Sequence, residues 1–302
     1  MWYPNFHCNC NKTSRLPQMS RCSHCRRSYC CQRGQYSFGV AIIGEIFEKS
    51  INISGSISKY PYMVSLQDMH QSYGNKINAT QKRIYQHFCG GSLISERWIL
   101  SAAHCVWRKN TQQIVAFVGY ENIENVHKLE PYGVERVEYI YFQPSNYRND
   151  IALLYLDRAF KSQLSNSLQY AQLPPQGMKP HSNESCRIIG YGATRHAGPS
   201  QKQLFEAEVR VIGNKQCRDI IGHIWAPKNG GNTVCALGNN QDSCQGDSGG
   251  PLICRYGSDG GEYIYGLVSH GLTCGIKGMP SIYTVTRPYY DWVQLLLHKT
   301  WT

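Results

Sequence analysis

Asp242-Ser243-Cys244-Gln245-Gly246-Asp247-Ser248-Gly249-Gly250-Pro251-Leu252 sets one hydroxyl among glycines. A serine hydroxyl is a weak nucleophile. Chemistry on it requires a base nearby and donors for the negative charge that develops. The glycines permit a sharp turn that presents Ser248. They also let the backbone N–H groups of Gly246 and Ser248 point at one place, the arrangement expected of an oxyanion site. Removing one such donor typically costs roughly 3–4 kcal/mol of transition-state stabilisation. Taken alone, Gly-Asp-Ser-Gly also describes a surface turn, so the reading depends on what else the chain supplies.

A base is available in Ser101-Ala102-Ala103-His104-Cys105. Histidine titrates near neutrality and can take a serine proton and return it to a leaving group. An orienting acid is available in Asn149-Asp150-Ile151-Ala152-Leu153-Leu154, where one carboxylate precedes an apolar run. Such an acid accepts the imidazole N–H, sets its tautomer and stabilises the imidazolium. Each segment has an ordinary reading: a structural histidine, a turn aspartate. Their joint occurrence in the order His, Asp, Ser distinguishes one class of hydrolase from others using the same three side chains.

The surrounding sequence is β-rich. The runs at residues 61–66, 98–101, 114–118, 151–156 and 187–190 are separated by turn residues, the pattern of an all-β barrel or sandwich. At the end, Trp292, Val293, Leu296 and Leu297 recur at helical spacing, so a C-terminal helix is expected over residues 289–298.

Composition narrows the class further. The net charge is +11, but residues 1–49 hold seven Lys/Arg against two acids, and the remaining excess is spread out. No basic run interleaved with aromatics marks a nucleic-acid surface. No run of 18 apolar residues marks a membrane span. Fourteen cysteines point to an oxidising compartment. Eight lie between Cys89 and Cys274; the other six are Cys8, Cys10, Cys22, Cys25, Cys30 and Cys31. The early Cys8-x-Cys10 and Cys22-x-x-Cys25 pairs superficially resemble zinc ligands, yet their spacing is loose and no metal is expected. Residues 1–49 read as a Cys-rich extension, either a propeptide or disordered, and residues 50–302 as the folded domain. The apolar stretch at 40–44 is too short for a signal peptide, so secretion is expected without a visible export signal.

On the three segments and their order, the chain resembles the chymotrypsin/trypsin family of serine proteases, across roughly residues 50–300. The resemblance implies two six-stranded antiparallel β-barrels with a C-terminal helix. It implies a catalytic set of His104, Asp150 and Ser248, and an oxyanion site at Gly246 and Ser248. It implies disulfides Cys89–Cys105, Cys186–Cys254, Cys217–Cys235 and Cys244–Cys274, which use all eight cysteines of the domain. No cofactor is implied. Partners are protein or peptide substrates and inhibitors of the serpin type.

The resemblance also places Asp242 at the bottom of the specificity pocket, where a carboxylate selects Arg or Lys. Ser243, Gly271 and Ser281 would line that pocket, and Ser269 would contact the substrate strand. Ser281 stands where the trypsin pattern has glycine. Its hydroxymethyl group is expected to narrow the pocket, to hydrogen-bond Asp242 and to weaken cleavage after Arg. His270 stands where the family usually has tryptophan, giving a smaller platform that can titrate.

Activation in this family follows cleavage before an Ile-Val-Gly-Gly-like start, whose new amine pairs with the acid before the nucleophile, here Asp247. The corresponding stretch is Lys49-Ser50-Ile51-Asn52, which lacks that pattern. A catalytically silent or rarely activated homologue, acting as a binding or regulatory module, is therefore the second reading. Between Leu66 and Phe88 the chain reads as a long loop carrying Lys76, Lys82 and Arg83. Asn52, Asn78 and Asn183 begin glycosylation acceptor triplets. The acids around 120–124 do not form a calcium site.

Overall fold

The computed structural model describes residues 59–299, apart from 73–81, 125, 127–128, 162–169, 176–183, 228–230, 239–241, 257–259, 273 and 275. The six early cysteines, the activation stretch near Lys49 and the acceptors Asn52, Asn78 and Asn183 lie outside the described residues.

Twelve strands form two closed barrels. The first comprises β1 (Met63–Ser72), β2 (Lys82–Leu93), β3 (Trp98–Ser101), β4 (Ile114–Val118), β5 (Tyr132–Tyr139) and β6 (Ala152–Leu156), in the spatial order β1-β2-β3-β6-β5-β4. The second comprises β7 (Ser185–Gly190), β8 (Phe205–Ile212), β9 (Thr233–Gly238), β10 (Pro251–Tyr256), β11 (Gly261–His270) and β12 (Ser281–Val285), in the order β10-β11-β12-β9-β8-β7. All the strand pairs are antiparallel.

The β-branched run of β4 is buried at all five positions. β8 instead alternates: Ala207, Val209 and Val211 turn inward, and Glu208 and Arg210 turn out. This is the period-two pattern of a half-buried strand. The stretch read as a long loop after Leu66 is largely a hairpin. β1 and β2 pair from Met63↔Ser92 out to Ser72↔Lys82. Its polar residues concealed the strands because each backbone finds its partner across the hairpin.

Each barrel has its own apolar centre. Leu66, Leu93, Ile99, Ile114 and Leu154 fill the first, and Ile188, Val209, Leu252 and Tyr283 the second. A third cluster joins them: Trp98, Leu100 and Leu153 pack with Ile264, Leu267, Val293 and Leu296. The last two belong to the terminal helix, Tyr290–His298, entered through a 3-10 turn at Arg287–Tyr289. Two shorter helices, Ala103–Val106 and Asn214–Ile221, and a 3-10 turn at Thr111–Gln113 complete the described secondary structure.

Four disulfides join Cys89–Cys105, Cys186–Cys254, Cys217–Cys235 and Cys244–Cys274. They close spans of 16 to 68 residues. Restriction of the unfolded chain over such spans is worth about 3–4 kcal/mol per bridge.

Candidate active site

Asp150 is fully buried at the mouth of β6, between the two barrels. Its Oδ1 accepts the backbone N–H of His104 at 2.8 Å. Its Oδ2 lies 2.7 Å from His104 Nδ1 and accepts the Ser269 hydroxyl at 2.6 Å. Three donors therefore meet one carboxylate, which satisfies a buried charge that would otherwise be costly. Because Asp150 accepts, the His104 proton resides on Nδ1, which leaves Nε2 with a lone pair able to take a proton.

The loop before Asp150 is set by its neighbour. Asn149 adopts a left-handed backbone (φ 54°), which asparagine tolerates better than most residues. Its side chain ties two elements together: Nδ2 donates to the Tyr141 carbonyl and Oδ1 accepts from Tyr289 Oη at 2.8 Å. The start of the terminal helix thus braces the acid.

His104 sits in the short helix Ala103–Val106, next to Cys105, whose disulfide to Cys89 fixes it to β2. The residue after Cys89 reaches the other barrel: Gly90 N–H donates to the Ser248 carbonyl at 2.8 Å. Ser248 is half-buried. Gly249 follows it at φ 75°, and a side chain there would meet Ser101 Oγ and the Gly90 carbonyl, so the turn demands glycine. Gly246 likewise lies at φ 96°. The structure brings His104 and Asp150 into direct contact and seats Ser248 in the turn ahead of β10; no hydrogen bond among the described residues joins His104 Nε2 to Ser248 Oγ. Such contacts tighten when a substrate docks.

Asp247 is buried, and its carboxylate accepts the backbone N–H groups of Gly192 and Cys244 at 2.8 and 2.9 Å. His87 approaches the same loop, with Nε2 2.8 Å from the Gly246 carbonyl and Nδ1 2.8 Å from Ser65 Oγ. A carbonyl only accepts, so His87 carries its proton on Nε2, and its Nδ1 accepts the Ser65 hydroxyl. Gln67 Nε2 donates to that hydroxyl oxygen in turn. This chain pins the peptide that follows Gly246.

Asp242, Ser243 and Ser281, expected to line the specificity pocket, meet one another. Asp242 Oδ1 accepts the Ser243 N–H at 2.7 Å and the Ser281 hydroxyl at 2.6 Å. Ser243 and Ser281 are buried. Burial pushes the Tyr283 phenol above its usual range, and the charge of Asp242 adds to that. Cys244–Cys274 ties this segment to the turn after β11, which begins at Gly271.

Two neighbours of the candidate site left no mark in the sequence. The Tyr147 ring stacks on His270 with centroids 4.6 Å apart and meets His104 edge-on at 5.5 Å. Tyr147 stands three residues before Asp150, and His87 two before Cys89, but nothing in either local sequence signals a role. Ser269 bridges to this group, with Oγ 3.0 Å from His270 Nδ1.

Comparison with known proteins agrees with this geometry. Residues 54–293 match the family model described as Trypsin. Mouse transmembrane protease serine 7 is 35% identical over 214 residues, covering 68% of this chain and 25% of that protein. Human tissue-type plasminogen activator is 34% identical over 220 residues, covering 68% of this chain and 38% of that protein. The chain spans well under two thirds of the length of these curated relatives. Twin antiparallel barrels, the His104–Asp150 pair at their junction and the extent of the family match lead to one assignment: the chain belongs to the chymotrypsin/trypsin family of serine proteases.

Proposed function

We propose that this protein is a secreted serine endopeptidase that hydrolyses peptide bonds through an acyl-enzyme on Ser248. The observation that carries the reading is the buried Asp150 carboxylate holding His104 by both backbone and ring. In the first step Ser248 Oγ bonds to the scissile carbonyl carbon, and its proton passes to His104 Nε2. Negative charge develops on the carbonyl oxygen, and the N–H groups of Gly246 and Ser248 stabilise it. Asp150 offsets the positive charge on the imidazolium. Collapse breaks the C–N bond, and His104 gives its proton to the departing amine. Water then attacks the ester carbonyl, losing a proton to His104, which returns it to Ser248 as the acid product leaves. The steps need no cofactor.

Asp242 directs the enzyme toward Arg and Lys, because a long cation complements a carboxylate at the end of a pocket. Ser281 already occupies one oxygen of that carboxylate. Arginine, which needs both carboxylate oxygens for its bidentate fit, loses most from this. Ser281→Gly is expected to raise kcat/KM on Arg peptides by about 10–100-fold while changing Lys peptides less, since one group in a pocket is worth about 1–3 kcal/mol. Matched Arg and Lys peptides read this directly; an unchanged ratio overturns the crowding argument. Ser243 and Gly271 line the same pocket, and Ser269 supports the substrate strand. Four disulfides favour an oxidising, extracellular setting. On this reading residues 1–49 are a Cys-rich extension ahead of a protease domain over residues 50–302. No helix among the described residues is long and apolar enough to cross a membrane.

An organophosphate probe tests the proposal. Ser248 is expected to be labelled after limited proteolysis exposes a new amine for Asp247, and Ser248→Ala to abolish labelling. No labelling before or after proteolysis favours the second reading, a silent homologue acting as a binding module. That reading draws on the Lys49-Ser50-Ile51-Asn52 stretch, which lacks the family's activation start, and on Ser281 beside Asp242.

A further inference from the structure

His270 ends β11 beside the catalytic pair. Its hydrogen-bond partners decide its tautomer. Ser269 Oγ has a single proton and lies 2.6 Å from Asp150 Oδ2. Two acceptors at that separation would repel, so the hydroxyl proton belongs to the Asp150 contact. The remaining Ser269 lone pair must then receive a proton from His270 Nδ1, 3.0 Å away. His270 therefore holds its proton on Nδ1, with Nε2 unprotonated at neutral pH. The carboxylate oxygen that accepts Ser269 is the same Oδ2 that faces His104 Nδ1. One oxygen thus terminates two imidazole paths, one direct and one through a hydroxyl.

A second link runs through Tyr147. Its ring touches both imidazoles, stacked on His270 at 25° between planes and edge-on to His104 at 70°. Tyr147 holds a left-handed backbone (φ 54°), unusual for a bulky side chain. Such strain persists only where surrounding contacts impose it. The charged and titratable groups facing His270 are Asp150, His104 and Tyr147. Burial holds the His270 imidazole below the usual histidine range; Asp150 opposes this, and His104 adds to it.

We infer that His270 is a positioning residue and a second titrating imidazole of this site, linked through Ser269 to the Asp150 oxygen that orients His104, so that its protonation opposes the charge His104 must acquire in catalysis. During acylation His104 becomes an imidazolium. A cationic His270 repels that charge, and a neutral one does not. The site then works best with both imidazoles neutral at the start, and two protons shut it down in acid where one would suffice. The kinetic form of this inference rests on the proposed peptidase reading; the proton coupling does not.

Two measurements test it. The first is kcat/KM against pH, which reports the free enzyme. The acid limb is expected to steepen from a slope of one toward two over about one pH unit, as for coupled sites. In His270→Phe the slope stays at one. An active wild-type enzyme with a slope of one throughout overturns the inference and leaves the peptidase reading intact. The second is nitrogen NMR of the histidines in full-length Ser248→Ala protein, which needs no activity. His270 is expected as the Nδ1–H tautomer, and the His104 titration is expected to show two steps that merge into one in His270→Phe. An Nε2–H tautomer, or a His104 curve indifferent to His270, overturns it. If organophosphate labelling fails while the two-step titration is present, the peptidase reading falls and the coupling stands.

Discussion

Ser248→Ala is expected to lower kcat by about a millionfold, and His104→Ala by nearly as much, with the double variant no slower than either. The non-additivity is the informative part. In the proposed mechanism the hydroxyl and the imidazole form one nucleophile, so removing either removes both. What persists over uncatalysed hydrolysis comes from the Gly246 and Ser248 N–H groups and from substrate binding, which neither change touches. Asp150→Asn acts differently. The amide can still sit against His104 Nδ1, but its NH2 group favours the tautomer that places a proton on Nε2, where the serine proton must go. A loss of about 10⁴ is expected with the fold intact. Single-turnover assays on a peptide ester, beside thermal unfolding curves, check all of this. The Gly90–Ser248 hydrogen bond is made by backbone atoms, so it survives the serine change. A double variant slower by the product of the single losses would sink the proposed catalytic unit.

Asp242→Ala is expected to cost Arg and Lys peptides about 2–5 kcal/mol of transition-state binding, roughly 30- to 4,000-fold in kcat/KM, while Leu peptides hold steady or improve. The charge proposed to select a cation is also a structural acceptor, because Oδ1 takes the Ser243 N–H and the Ser281 hydroxyl. Asp242→Asn separates the two roles: it can keep both hydrogen bonds and removes the charge. Equal loss of basic-residue cleavage in both variants assigns the effect to electrostatics. Retention of Arg and Lys preference in Asp242→Asn would overturn the assignment of this carboxylate as the selector.

Much of the fold was legible because its signals are local. The Ile114–Val118 run is both β-branched and wholly buried, and residues 98–101 match β3 at both ends. The helical spacing of Trp292, Val293 and Leu296 matches the helix Tyr290–His298, of which Val293 and Leu296 are the buried face. Less legible were strands whose stability comes from partners. The outer half of β2, Lys-Arg-Ile-Tyr-Gln-His, has no apolar period and exposes Ile84, yet it pairs residue by residue with β1. Backbone hydrogen bonds across a hairpin do not depend on side-chain pattern, so pattern alone reads such a segment as loop.

The site divides along the same line. The candidates His104, Asp150 and Ser248 each stood within a short contiguous segment whose glycines, cysteines or flanking apolar residues singled it out, whereas Asp242, Ser243, Ser269, Gly271 and Ser281 came only from the family resemblance. Distances and competition for shared atoms were decided only by tertiary structure. Asp150 Oδ2 serves His104 and Ser269 together because a short helix and β11, far apart in the chain, deliver both donors to one buried oxygen. His87 reaches Gly246 across 159 residues, and Tyr147 lies between two imidazoles that its neighbours in sequence give no reason to expect. Residue types specify which chemistry is available, since the ordinary pKa and intrinsic nucleophilicity of a side chain are set by its covalent structure. Which groups share a proton, crowd a pocket or repel one another follows from a few ångströms of separation inside a low-dielectric junction, and only the closing of the two barrels sets those separations.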